Sequence, residues 1–60
     1  MNSQVQSIVN LMENLLAADD ADTAWNMEGE FAKIWNEQAP NSPEQKAMAA
    51  VWKKMMQKWH

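Results

Sequence analysis

The chain has no cysteine, no arginine and no tyrosine, one glycine, two prolines and a single histidine, His60. Each shortage excludes something. Without thiols there is neither a disulfide framework nor a thiolate metal site. A closed zinc site needs about four ligands of the Cys/His type, which one histidine cannot supply, so neither a metal nor another cofactor is expected. Gly29 alone cannot build a glycine-rich phosphate loop. Arginine is the preferred reader of base edges. Its absence, with a net charge of −3, argues against nucleic-acid binding by the chain as a whole. No apolar run approaches the roughly 18 residues of a membrane-spanning helix. Met1-Asn2-Ser3-Gln4 lacks the basic and then apolar pattern of a secretory signal. The expected setting is therefore the reducing cytoplasm.

Catalytic groupings are missing too. Ser3, Ser7 and Ser42 fall at a helix start, on a polar face and at a cap, and none is linked to His60. Glu28 and Glu30 are two apart, so on a helix they point in different directions. The items an active site requires are not assembled, and no enzymatic role is expected.

What the chain does have is bulk: four tryptophans and six methionines in 60 residues, with 47% hydrophobic content. This is one domain, residues 1–60, and it is too apolar for disorder. A chain of this size buries only about 60% of its unfolded surface. Lacking disulfides and metal, it must rely on large side chains or on self-association.

The apolar residues repeat at helical spacing. Val5, Ile8, Val9, Met12, Leu15 and Leu16 fall on one arc and predict a helix over about 3–18. At Ala39-Pro40-Asn41-Ser42-Pro43-Glu44-Gln45 the prolines end one helix and begin another. Ser42 is the N-cap, Pro43 the first helical residue, and Gln45 completes a Ser-x-x-Gln capping box. The helix that follows, 43–59, carries Met48, Val51, Trp52, Met55, Met56 and Trp59 on one side. Asp19, Asp20 and Asp22 suit a helix start better than a helix interior, which places a tight turn near Ala18–Asp20 and a further helix over 20–38. There, Ala21, Ala24, Trp25, Met27, Phe31, Ala32, Ile34 and Trp35 spread over about half the circumference, enough to touch two neighbours. The fold expected is all-α: an up-down-up three-helix bundle with the 20–38 helix at its centre and Trp35 in its core.

Charge is segregated. Seven acids and one base precede residue 40; four lysines and Glu44 follow it. The simplest account sets the basic last helix beside the acidic middle one. The candidate interaction surface comprises the acidic turn Asp19, Asp20 and Asp22, Glu28 within the apolar arc of the middle helix, and Trp52, Lys53 and Trp59 on the last helix. At least one of Trp52 and Trp59 is expected to be partly exposed. These features point to a small protein-interaction module or regulator that binds a protein partner. A short acidic chain of this kind suits a phage or other mobile element whose product docks on a host protein. A self-associating helical homodimer is the alternative. A nucleic-acid or membrane-surface accessory using the basic amphipathic helix 43–59 is a third reading, disfavoured by the charge.

Overall fold

The computed structural model describes residues 2–59, so His60 lies outside the described residues. The fold is an all-α bundle of four helices: α1 (Ser3–Ala17), α2 (Ala21–Asn26), α3 (Glu28–Asn36) and α4 (Pro43–Trp59). Helices α2 and α3 are the two halves of the segment expected to be one helix over 20–38. The break falls at Met27 (φ −87°, ψ 2°), whose half-buried side chain packs on the core. A straight helix would set Trp25 and Phe31, six positions apart, about 120° from each other. With the break between them, both rings reach Trp52 of α4. Trp25 meets it edge-on at 5.3 Å, and Phe31 lies against it at 4.8 Å.

Each helix end is satisfied by a local device. Asn2 Oδ1 accepts the Val5 N–H at 2.8 Å and starts α1. Helix α1 ends in a Schellman motif: the Asp19 N–H donates to the Leu16 carbonyl and the Asp20 N–H to that of Leu15. Asp19 takes the left-handed conformation, φ 56°, which aspartate tolerates better than most residues. Asp20 then caps α2, its carboxylate accepting the Thr23 N–H. Ser42 Oγ accepts the Gln45 N–H and caps α4.

The expected capping box is only half formed. Gln45 does not reach back to Ser42, whose N–H donates instead to the Ala39 carbonyl. The Gln45 side-chain amide donates to the carbonyls of Trp35 and Gln38. Carbonyls at a helix C-terminus have no partner within the helix, so the glutamine ties the start of α4 to the end of α3. Asn2 Nδ2 donates to Gln38 Oε1 at 2.9 Å, which brings the start of α1 to the same end. At the other end, Asp19 accepts the Trp59 indole N–H at 2.9 Å. Helices α1 and α4 therefore run parallel and α3 antiparallel to both, an up-down-up course.

The central helix is α1. It packs on all three others, most extensively on α4, whereas the backbones of α3 and α4 approach each other at few places. This corrects the expectation that the 20–38 segment is the shared wall. The basic helix likewise pairs with α1 and its C-terminal turn: Lys54 Nζ lies 2.9 Å from Glu13 Oε1 and Lys58 Nζ 3.8 Å from Asp19 Oδ1.

The core is Val5, Ile8, Met12 and Leu15 of α1, Ala24 of α2, Phe31 and Ile34 of α3, and Met48, Val51 and Met55 of α4. All ten are apolar, and no described residue with a polar or charged side chain is buried. Methionine rather than tryptophan fills the centre. All four tryptophans are half-buried at its margin, Trp35 included, so Trp35 is not the core residue it was expected to be.

Candidate functional site

Because α4 leans on α1, the space between α3 and α4 is left open as a groove of about 1000 Å³. One wall is α3: Glu28, Gly29, Ala32, Trp35 and Asn36, with Phe31 reaching the floor. These positions recur at steps of one, three, three and one along a single helical face. The other wall is α4: Ala49, Trp52, Lys53, Met56 and Gln57, at steps of three, one, three and one. The apolar stripe of the last helix is thus divided. Met48, Val51 and Met55 turn to the core, while Trp52 and Met56 turn to the groove.

Trp52 sets the depth. Its ring packs edge-to-face with Trp25, an arrangement that aromatic pairs prefer, and at a 33° tilt against Phe31, and it lines the groove. Around it the lining is apolar or small. Met56 is 48% exposed, one of two exposed large hydrophobic residues among those described; the other, Leu11, is 40% exposed. Leu11 lies in a shallower depression of about 370 Å³ between α1 and α3.

Glu28 and Lys53 are the ionisable residues of the groove, one on each wall. Both are exposed, and neither joins an ion pair among the described residues. The remaining polar rim is Asn36 and Gln57. Among the described residues the lining contains no serine, threonine, cysteine or histidine, and no group of three or more metal-ligating residues occurs.

Of the residues singled out in the sequence, Glu28, Trp52 and Lys53 come together at this groove. Glu28 is exposed at its edge rather than buried in a helix seam. Asp19 and Trp59 meet each other at the far end of the bundle, Asp20 serves as a helix cap, and Asp22 is exposed in the first turn of α2. Gly29, Ala32, Trp35 and Met56 escaped the sequence reading. For Ala32 and Trp35 the signal was present in the width of the apolar arc over 20–38, and for Met56 in the stripe of the last helix; for Gly29 there was none. That arc was assigned to two neighbouring helices, whereas part of it faces an open groove.

No helix among the described residues is long and apolar enough to cross a membrane. Comparison with protein-family models, with curated proteins and with solved structures finds no match to this chain.

Proposed function

We propose that the protein is a non-catalytic protein–protein interaction module of the cytoplasm, which takes an amphipathic helix of a protein partner into the groove between α3 and α4. The observation that carries this reading is the groove's lining. Trp35, Trp52, Phe31 and Met56 form an apolar, aromatic centre, and Glu28, Lys53, Asn36 and Gln57 form a polar rim. Aromatic residues and methionine are enriched at the centres of protein interfaces, with polar groups around them. A trough between two helices is the geometry that receives a third, anchored by side chains one turn apart. Supporting a non-catalytic role, the described residues of the lining offer no hydroxyl, thiol or imidazole nucleophile. The nucleic-acid reading is weakened because Lys54 and Lys58 of α4 are already engaged by Glu13 and Asp19.

Site-specific photo-crosslinking in the cell that makes the protein tests this. A photoreactive residue at position 56 should give a discrete polypeptide adduct on irradiation, and the same residue at position 11 should give none. An adduct to nucleic acid or lipid at position 56, or no adduct there, would overturn the reading.

A further inference from the structure

The helix that enters the groove still needs an owner. We infer that it belongs to a second copy of this chain, docked across a two-fold axis so that α3 of each copy faces α4 of the other. This rests on the groove being the contact surface, and three observations lead to it.

The first is charge. Glu28 stands on the α3 wall and Lys53 on the α4 wall, both exposed and outside the two ion pairs of the described residues. A two-fold interface uses the same patch on both molecules, so every contact is made twice. Setting α3 against the partner's α4 brings Glu28 to the partner's Lys53 and Lys53 to the partner's Glu28. A foreign helix would need both signs at matching spacing, whereas this chain already carries them.

The second is Gly29. Its φ is not positive, and a Cβ built on it meets nothing within 4 Å. Neither backbone conformation nor packing within the chain calls for glycine here, although glycine weakens a helix. A bare Cα allows another backbone to come close. Ala32, one turn further along α3, and Ala49 across the groove extend the same low ground.

The third is the uncovered apolar load. Trp35 and Trp52 are only half-buried and Met56 is 48% exposed, in a chain that has no disulfide to offset its small core. Oligomerisation is a common compensation for a core of this size, and one interface covers the patch on both copies.

Sedimentation equilibrium of the purified full chain, from micromolar to millimolar concentration, tests the inference. Wild type should approach twice its 6.9 kDa mass as concentration rises. Met56→Glu and Lys53→Glu should each weaken association by about tenfold or more. The double variant Glu28→Lys/Lys53→Glu should recover it, because the swap rebuilds both pairs across the axis. Gly29→Ala should raise the melting temperature of the dilute monomer while weakening the dimer, a combination that a purely structural glycine would not produce. Leu11→Glu should leave the dimer intact. A wild type that stays monomeric throughout overturns the second-copy assignment and leaves the groove itself to the crosslinking experiment. A dimer indifferent to Met56→Glu and to the single reversal Lys53→Glu forms through another surface and likewise overturns the assignment.

Discussion

Asp19 meets three demands at once. It closes the Schellman motif of α1 in a left-handed conformation, accepts the Trp59 indole N–H, and lies near the Lys58 ammonium. Substitutions can separate these. Asp19→Asn keeps the side-chain acceptor and the tolerance for positive φ, losing only an exposed attraction, and should change stability by less than about 0.5 kcal/mol. Asp19→Ala loses the hydrogen bond and forces alanine into the left-handed region, and should cost about 1–2 kcal/mol. Urea denaturation midpoints of the two variants decide the matter; an alanine variant as stable as the asparagine one would mean that neither the turn nor the indole contact contributes. The side chain of the neighbouring Asp20 caps α2, so two adjacent aspartates that look alike in the sequence have different physical jobs. The tryptophans show a similar division. Their size and their N–H donor suit a half-wet margin, while flexible methionine fills the gaps between short helices.

Helix boundaries were legible where capping chemistry is explicit: Pro40, Ser42 and Pro43 set the start of α4, and the aspartate run set the turn after α1. The break at Met27 was not. Nothing at 26–28 resembles a helix stop, and the cause is tertiary: Trp25 and Phe31 both reach Trp52 only if the helix bends between them. The use of Gln45 was hidden for the same reason. A glutamine three residues after a serine cap suggests a local bond, but the carbonyls at the end of α3 are a better acceptor once the two helices meet. The candidate site was half legible. Glu28, Trp52 and Lys53 stood out as charges and an indole in unexpected company. Gly29 and Met56 did not, because a small residue or an exposed methionine acquires meaning only beside a groove. Gln45→Ala isolates the link between α3 and α4. It leaves the Ser42 cap in place and removes the amide donors to Trp35 and Gln38, so it should cost about 1 kcal/mol. Amide exchange at the end of α3 should quicken more than in the middle of α1; uniform acceleration throughout the bundle would contradict a local clamp.

At the scale of the molecule, the bundle is organised around α1, and its tolerance to truncation should follow that hierarchy. Met12 is fully buried on the central helix. Met12→Ala should cost about 2–5 kcal/mol, comparable to the whole stability of a domain of this length at roughly 0.05–0.15 kcal/mol per residue. Trp35→Ala removes a larger side chain from a half-buried position on the groove wall and should cost only about 1–2 kcal/mol, less than a core tryptophan would. Thermal melts followed by circular dichroism should show the tryptophan variant folded at room temperature and the methionine variant largely unfolded. The reverse order would mean that α3, not α1, is the mainstay.

The pairing of α1 with α4 also bears on biosynthesis. A ribosome delivers α1 well before α4, yet these two are each other's principal neighbours. Until α4 has emerged, Val5, Met12 and the rest of the α1 stripe lack about half of the surface they are built to meet. The nascent chain therefore waits, apolar and incompletely packed, for the seventeen residues of α4, and assembly should await the emergence of that helix rather than advance helix by helix.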